Sequence, residues 1–232
     1  MNLYEILKRL ESVYRPNKDE YIVLHMISKD NQVNHFEILI GIVLSQNTSD
    51  RNAMRALNNL RRDLGGIIEP ERVLRTPVET IINAIKVAGI AKRRAETIYE
   101  LAKWFKSDEG IVNKLHMLDV DEARKILMQI RGVGPKTADV YLLAVLRKPT
   151  FPIDTHIKRV LTRIGLALEN EGYESIRKKI VSETHNDVDI LMKLHILLIE
   201  HGRRVCKARK PLCNECVLRD LCSYYKKADA GK

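Results

Sequence analysis

Apolar residues recur along almost the whole chain at the three- and four-residue spacing of α-helices. The first helix shows the pattern most clearly, because its apolar positions share one face and charged residues separate them. These positions are Leu3, Ile6, Leu7, Leu10 and Val13. No stretch of useful length alternates with the period of two that a β-strand requires. The pattern predicts an all-α fold.

Capping signals divide this pattern into successive helices. Asn34 is placed to cap a buried helix that contains residues 38–44, and Gly65-Gly66 ends the amphipathic helix expected over residues 50–64. Thr76 begins a capping box with proline at the first helical position, so we expect Thr76 to be an N-cap. Further helices are expected over residues 20–27, 50–64, 77–88, 91–105, 120–130, 135–147, 155–164, 174–184 and 187–201, with residues 107–114 as a connection.

The charge balance favours a polyanionic partner. The chain has 40 Lys and Arg against 30 Asp and Glu, a net charge of +10 and a pI near 9.4. Such an excess raises the local concentration of polyanions, and nucleic acid is the first candidate. A solvated surface without a partner is the alternative that this number leaves open.

No apolar run approaches the ~20 residues that a membrane-spanning helix needs. The first residues also lack the basic-then-apolar order of a secretion signal. We therefore expect no membrane partner and an intracellular, cytoplasmic location.

One stretch, residues 130–156, holds most of the candidate chemistry: IRGVGPKTADVYLLAVLRKPTFPIDTH. Gly132 and Gly134 can adopt backbone conformations closed to other residues and admit close approach, and Pro135 suits a first helical turn. The helix that Asp119 caps thus turns into a second helix, which makes a helix-hairpin-helix. Backbone amides at such a helix start can hold one phosphate without reading a base.

All four cysteines lie within 17 residues, as Cys206, Cys213, Cys216 and Cys222 in the spacing C-x6-C-x2-C-x5-C. Disulfides would need an oxidising compartment, which nothing else in the sequence indicates. A two-plus-two zinc ribbon is excluded, because only one C-x2-C pair is present. Four thiolates suit tetrahedral zinc or a four-iron cluster, and the spacing alone does not decide between them.

The segment between the first two cysteines, KARKP, is basic through Lys207, Arg209 and Lys210. A loop that a metal holds at both ends can meet phosphates at a low ordering cost. The alternative is that these charges only offset the negative charge of the thiolates. Phosphate contact is favoured, since the net charge and the hairpin also indicate nucleic acid.

Together, these features resemble endonuclease III, the iron–sulfur branch of the helix-hairpin-helix DNA glycosylases. The likeness covers nearly the whole chain. SQNTSD resembles that family's SAQATD-type segment, AGIAKRRA its IGLYNSKA-type segment, IRGVGPKTAD its LPGVGRKTAN, and IDTHIKRV its VDTHIFRV. The cysteine segment resembles its cluster segment, and these last two matches are highly specific.

The resemblance implies a two-domain fold with a [4Fe-4S] cluster on the four cysteines. A six-helix barrel with the hairpin would span residues 30–149, and residues 1–29 with 150–232 would form the cluster domain. The partner would be damaged double-stranded DNA, bound by a monomer at the nucleoid.

The resemblance also places a lysine nucleophile at Lys136 and its carboxylate partner at Asp154. A lysine amine must lose its proton before it can attack, and the positive end of a helix disfavours an added cation. Without the family, Lys136 would be an ordinary phosphate-binding lysine and Asp154 an N-cap.

The same resemblance implies two DNA probes, which are side chains that enter the duplex at the damaged site. Gln46 would fill the space of a flipped nucleotide, and Ile90 would wedge between bases of the opposite strand. The alternatives are a polar cap for Gln46 and a core position for Ile90. The expected DNA contacts are Gln46, Asn47, Ile90, Gly132, Val133, Gly134, Thr137, His156, Lys207, Arg209 and Lys210.

Four residues depart from the family pattern. Arg131 and Pro135 replace the proline before the hairpin and the basic residue before the lysine, which shifts local charge slightly. Asn47 and Ser49 alter the segment that resembles the DNA-probing loop.

The expected activity is that of a bifunctional glycosylase and lyase for oxidised pyrimidines. The alternatives are a monofunctional mismatch or alkylated-base glycosylase and a non-catalytic iron–sulfur DNA-binding or redox-sensing module.

Three other residues are interpreted as structural. Trp104 is expected in a core, and His195 and His201 are expected to be buried histidines with satisfied hydrogen bonds. Four cysteines already suffice for the metal, so neither histidine is needed as a ligand.

Overall fold

The computed structural model describes residues 2–29 and 33–230. These residues form fourteen α-helices and four short 3-10 turns, and they contain no β-strand, so the predicted all-α fold is confirmed. The helices are α1 (Leu3–Val13), α2 (Ile22–Lys29), α3 (His35–Ser45), α4 (Asp50–Asp63), α5 (Pro70–Arg75), α6 (Val78–Ile85), α7 (Ala91–Ser107), α8 (Ile111–Met117), α9 (Val120–Met128), α10 (Pro135–Ala144), α11 (Thr155–Ile164), α12 (Tyr173–Glu183), α13 (Val188–Arg204) and α14 (Ser223–Ala230).

The chain divides into two compact units. Unit 1 comprises the residues up to Pro16 and those from Lys148 onward, and unit 2 runs from Asn17 to Arg147. The sequence placed the first boundary between residues 29 and 30. It lies earlier in the structure, because Ile22 and Val23 of α2 belong to the core of unit 2.

Helix α3 is the most deeply buried element of unit 2. Its residues from Phe36 to Leu44 are all buried, and it contacts α2, α4, α7 and α10. A helix that is apolar on all sides suits such a position. The C-terminal end of α3 is therefore fixed with respect to α7 and α10.

Unit 1 joins the first helix to the last third of the chain. The apolar face predicted for α1 is buried at Leu3, Ile6, Leu7 and Leu10, and α1 contacts α13. From the polar side of α1, Arg9 donates hydrogen bonds to the carbonyl of Val217 and to the carboxylate of Asp220. Helix α13 also contacts α11.

Side-chain caps explain where several helices begin. Asn34 Oδ1 accepts from the Glu37 N–H at 3.0 Å, and Asp119 Oδ1 accepts from the Glu122 N–H at 2.8 Å. Both caps were predicted, because an N-cap depends on residues only three positions apart.

The predicted capping box at Thr76 is wrong. Helix α5 ends at Arg75, so Thr76 is its C-cap and donates its hydroxyl to the carbonyl of Arg72 at 2.7 Å. Pro77 is then the N-cap of α6 and makes no side-chain cap. The six-residue α5 was itself missed, since it is too short to show a helical period.

The expected connection over residues 107–114 is also wrong in part. Helix α8 begins at Ile111, because Ile111 and Leu115 are buried one turn apart. Helix α14 was not predicted either.

Among the described residues, no helix combines the length and the apolar character that a membrane span requires.

Candidate functional site

The glycine turn of the hairpin connects α9 to α10 and lies against α7. Val133 donates its N–H to the carbonyl of Ile130 at 2.9 Å. Gly132 has φ of +93°, and a Cβ there would lie 2.0 Å from Thr97 Oγ1, so this position requires glycine. Gly134 has ordinary extended backbone, with no atom within 4 Å of a built Cβ. The special conformation predicted for both glycines is needed at Gly132 alone.

A buried ion pair joins the two helices of the hairpin. Arg124 Nε on α9 lies 2.8 Å from Asp139 Oδ1 on α10, and Arg124 Nη2 lies 3.2 Å from Oδ2. The Asp139 side chain is fully buried. Sequence analysis missed this pair, because neither residue departs from the helical pattern around it.

Lys136 occupies the first turn of α10 and is partly buried. Gly134 is the N-cap and offers no side-chain hydrogen bond, while Pro135 follows at the first helical position, as expected. Among the described residues of unit 2, which are 17–29 and 33–147, no carboxylate forms an ion pair with Lys136. The hairpin therefore presents an amine at a helix start that no side chain caps.

Gln46 connects the end of α3 to the start of α10. It is the C-cap of α3, and its Nε2 donates to Thr137 Oγ1 at 2.7 Å. Thr137 is buried and directly follows Lys136. The structure thus brings together two residues that the sequence placed in separate segments.

Arg94 holds the same end of α3 from the side of α7. Its guanidinium donates through Nη1 to the carbonyl of Leu44 at 2.7 Å and through Nη2 to the carbonyl of Gln46. Only 5% of Arg94 is exposed. Sequence analysis missed Arg94, because it lies in a helix without any local signal that separates it from its basic neighbours.

A cavity of about 170 Å³ in unit 2 gathers several predicted DNA contacts. It lies between the end of α3, the start of α7 and the hairpin. Its lining consists of Val43, Gln46, Asn47, Ile90, Arg93, Arg94, Thr97 and Gly132.

Ile90 is 62% exposed, so the alternative interpretation as a core residue is wrong. Its φ of +49° is left-handed, which a β-branched residue rarely adopts. Asn47, across the cavity, has φ of +51°. Strained backbone of this kind clusters at functional sites.

Asp154 is the N-cap of α11 in unit 1. Its Oδ1 accepts from the N–H of Ile157 at 2.7 Å, which confirms the interpretation as a cap. Asp154 is partly buried and lines a cavity of about 920 Å³ with Thr155, Lys158 and Tyr173 among other residues.

His156 is held within unit 1 by Arg159, whose Nη2 lies 3.1 Å from His156 Nδ1. Arg159 also donates to the carbonyls of Gly202 and Cys206, each at 2.8 Å. A Cβ on Gly202 would lie 2.8 Å from the Cβ of His156, so helices α11 and α13 approach closely here.

The four cysteines lie after α13 and around two 3-10 turns, Cys213–Glu215 and Arg219–Leu221, and none of the four forms a disulfide. Burial, and after it the negative charge of Cys206, Cys222 and Cys213, raises the pKa of Cys216 to about 11. Burial, Cys222 and Cys206 likewise raise the pKa of Cys213. The thiols are thus close enough to repel one another as thiolates, and a cationic iron core would offset that repulsion.

The described side chains contain no group of three or more His, Cys, Asp or Glu arranged to hold one metal ion. A four-iron cluster takes four cysteine ligands, one for each iron, so its sulfurs do not meet at a single point. The four cysteines therefore supply the donor set that such a cluster takes.

The basic loop after the first cysteine is anchored through its backbone. Arg163 donates to the carbonyls of Lys207 at 2.7 Å and Ala208 at 3.1 Å, and its Nη1 lies 3.4 Å from Cys206 Sγ. The side chains of Lys207, Arg209 and Lys210 are exposed. The structure therefore presents these charges on a held loop.

Both histidines of α13 form hydrogen bonds, as predicted, but His195 is only partly buried. His201 is buried, with Nδ1 2.9 Å from the Tyr14 hydroxyl and Nε2 3.5 Å from Cys216 Sγ. His195 Nδ1 lies 3.0 Å from the carbonyl of Pro152. Trp104 packs against the core of unit 2, as expected.

Two family models match this chain. The model of the HhH-GPD superfamily of base excision DNA repair proteins matches residues 40–184. The model of the iron-sulfur binding domain of endonuclease III matches residues 206–222, which begin and end on a cysteine.

Curated relatives cover nearly the whole chain. Endonuclease III of Sulfolobus acidocaldarius is 37% identical over 224 residues, which are 95% of this chain and 95% of that protein. Endonuclease III of Escherichia coli K12 is 32% identical over 222 residues, which are 96% and 98% of the two chains.

Solved structures show the same fold. A trapped endonuclease III–DNA covalent intermediate has a TM-score of 0.75 at 24% identity and covers 99% of each chain. A thermostable thymine-DNA glycosylase has a TM-score of 0.71 at 24% identity, over 97% of this chain and 95% of that one. With these matches the predicted resemblance is confirmed. The chain belongs to the endonuclease III family of helix-hairpin-helix base excision repair DNA glycosylases, which carry a [4Fe-4S] cluster.

Proposed function

We propose that this protein removes oxidised pyrimidines of the thymine glycol type from duplex DNA and then cleaves the strand as an AP lyase. The observation that carries the proposal is the position of Lys136 in the first turn of α10, directly after the glycine hairpin and beside Thr137. A phosphate-binding hairpin and an amine nucleophile then share one helix start.

The chemistry begins with a nucleotide flipped out of the duplex. The neutral amine of Lys136 attacks the anomeric carbon C1′, and the bond from C1′ to the base breaks. The base leaves with the electron pair and takes up a proton. The sugar ring opens to a Schiff base, a proton is lost from C2′, and the C3′–O bond breaks by β-elimination.

In this proposal Asp154 supplies the carboxylate. It accepts the proton that Lys136 must lose, or it stabilises the positive charge that grows on the sugar. Its role as N-cap of α11 is compatible with this chemistry, because the cap engages Oδ1.

The hairpin is proposed to hold a phosphate on the amides of Gly132, Gly134 and Thr137. Val133, whose N–H bonds to the carbonyl of Ile130, would contact the DNA from within the turn. The open space beside Gly134 and the uncapped start of α10 support this assignment. Gln46, Asn47 and Ile90 would probe the duplex from the cavity that they line. His156 would line the DNA, and Lys207, Arg209 and Lys210 would bind phosphates.

The proposed cluster ligands are Cys206, Cys213, Cys216 and Cys222. The bound cluster would fix the shape of this segment and of the basic loop within it. We expect a yellow-brown protein with a broad visible absorption band. A colourless protein with stoichiometric zinc would contradict this assignment.

Damaged double-stranded DNA is the proposed partner, and the related endonuclease III that was solved as a DNA complex supports it. We propose that the protein acts as a monomer at the nucleoid.

A second candidate is a monofunctional glycosylase for mismatched bases, which the likeness to the thymine-DNA glycosylase favours. Lys136 weighs against it, because base release by water needs no amine nucleophile. A non-catalytic DNA-binding module is the third candidate, and it would need neither Lys136 nor Asp154.

Borohydride trapping separates these candidates. We expect wild-type protein to form a covalent adduct with duplex DNA carrying thymine glycol or an abasic site, and Lys136→Ala to form none. Lys125→Ala is the matched control, since it removes an exposed lysine from α9 of the same hairpin. Base release without an adduct would indicate the monofunctional enzyme, and binding without release would indicate the non-catalytic module.

A further inference from the structure

We infer that Arg94 is a positioning residue for base extrusion, which sets the spacing between the two DNA probes Gln46 and Ile90. This inference rests on the proposed function and assigns a role to a residue outside the reacting groups.

The first observation is that Arg94 bonds to the segments of both probes. Its side chain donates to the carbonyls of Leu44 and Gln46 at the end of α3. Its own backbone N–H donates to the carbonyl of Ile90 at 3.2 Å. One residue therefore connects two segments that are 44 to 50 positions apart in sequence.

The second observation concerns the electrostatics of the α3 C-terminus. The last carbonyls of a helix lack intrahelical partners and carry partial negative charge. Arg94 places a buried cation on two of these acceptors, and its planar fork fits two acceptors at once. Burial lowers the pKa of the Arg94 guanidinium, so its charge depends on these carbonyls for compensation.

The third observation is that the Gln46 side chain is held separately. Gln46 Nε2 donates to Thr137 Oγ1 beside Lys136, while Arg94 holds the Gln46 carbonyl. Arg94 fixes the backbone from which the probe projects, and Thr137 fixes the probe itself.

The spacing matters because both probes act on the same base pair. Unstacking a base step costs on the order of a few kcal/mol, and inserted side chains offset part of that cost. A displacement of about 1 Å at such a position can slow a reaction roughly 100-fold. Loss of Arg94 should therefore impair extrusion of a paired base more than the later chemistry at Lys136.

The test compares two reactions that share Lys136. The first is single-turnover release of thymine glycol from a duplex, which requires extrusion of a base. The second is β-elimination at a preformed abasic site in the same duplex, where no base remains to be extruded. We expect Arg94→Met to slow the first reaction by about 10- to 100-fold and the second by less than about 3-fold. Equal slowing of both reactions, or slowing of neither, would overturn the inference.

Two variants guard against a merely structural effect. Arg94→Lys keeps the charge but can reach one carbonyl instead of two, so we expect the same selective loss at an intermediate size. If Arg94→Met does not fold, Arg94→Lys alone tests the inference. Equal slowing of both reactions by Arg94→Lys would then count against the positioning role of Arg94. Lys103→Met is the matched control, because Lys103 lies on α7, is 61% exposed and pairs with Glu100. It should leave both reactions unchanged.

A double-mutant cycle tests whether Arg94 acts through Gln46. In a Gln46→Ala background, Arg94→Met should slow release of thymine glycol by much less than it does in the wild type. A full additional effect would show that Arg94 does not act through Gln46.

If wild-type protein forms no borohydride adduct, the proposed function itself fails. If wild type reacts and Arg94→Met behaves like it, only the inference about Arg94 fails.

Discussion

Asp139 of α10 holds Arg124 of α9 through both carboxylate oxygens, at 2.8 and 3.2 Å, in a position closed to solvent. This pair fixes the angle between the two helices that flank the glycine turn. Because Asp139 lies three residues after Lys136 on α10, it also fixes the helix that carries the proposed nucleophile.

We predict that Asp139→Asn lowers the free energy of unfolding by about 3–5 kcal/mol, since it leaves a buried guanidinium without its counter-charge. Denaturant unfolding of the cluster-loaded protein measures the change. Asp121→Asn is the control, because Asp121 is exposed and its carboxylate lies 3.9 Å from Arg124; it should cost less than about 1 kcal/mol. Equal midpoints for the two variants would refute a special role of the buried pair.

The Gln46–Thr137 hydrogen bond leads to a second prediction. Thr137→Val keeps the side-chain shape but removes the acceptor of Gln46 Nε2, and one such bond is worth about 1 kcal/mol. We expect release of the damaged base to slow about fivefold, as measured in single-turnover assays. Thr137→Ser keeps the hydroxyl and should retain most of the rate. The idea fails if the valine and serine variants react at the same rate.

The left-handed backbone of Ile90 predicts opposite effects on stability and activity. Ile90→Asn should raise the free energy of unfolding by about 1 kcal/mol, since asparagine tolerates φ of +49° much better than a β-branched residue. The same change removes the apolar wedge and should slow base release. Met117→Asn serves as control, because Met117 is exposed with helical backbone and should gain no stability. A stability loss in Ile90→Asn would contradict this account.

A partly buried histidine gives a prediction about pH. His35 Nδ1 lies 2.8 Å from the Tyr141 hydroxyl, and burial, with a smaller contribution from His116, lowers the pKa of His35 below its usual 6.5. The unfolded chain therefore binds more protons than the folded one between that lowered pKa and 6.5. The free energy of unfolding rises with pH through this window and is lost on acidification, by at most about 1.4 kcal/mol per pH unit.

Urea unfolding at pH 5 and pH 7 measures this slope. His35→Gln should flatten it, because glutamine does not titrate. His185→Asn, at an exposed position with positive φ, should leave the slope unchanged. If His35→Gln retains the full slope, another group causes the pH dependence.

Local signals allowed most helix starts to be predicted from the sequence. Asn34, Asp119 and Asp154 cap their helices as expected, because each cap involves an N–H only three residues away. The same reasoning failed at Thr76, because this threonine is the C-cap of the six-residue helix α5 and not the N-cap of the next helix.

The packing of the candidate site could not be predicted in this way. Arg94 bonds to carbonyls 48 and 50 residues away, and Gln46 bonds to Thr137 over 91 residues. Helical periodicity shows which face of a helix is buried but not which polar group meets it from another helix. Family resemblance located Gln46 and Ile90, whereas the residue that joins their segments became visible only in three dimensions.

Arg9 of α1 donates to the carbonyl of Val217 and to the carboxylate of Asp220, so α1 completes its contacts with residues that are made more than 200 positions later. Unit 2 is continuous in sequence and can fold during synthesis. Helix α1 meanwhile keeps its apolar face uncovered until α13 emerges about 180 residues later. The iron–sulfur segment thus becomes available to α1 only after the whole of the DNA-probing unit 2 has been made.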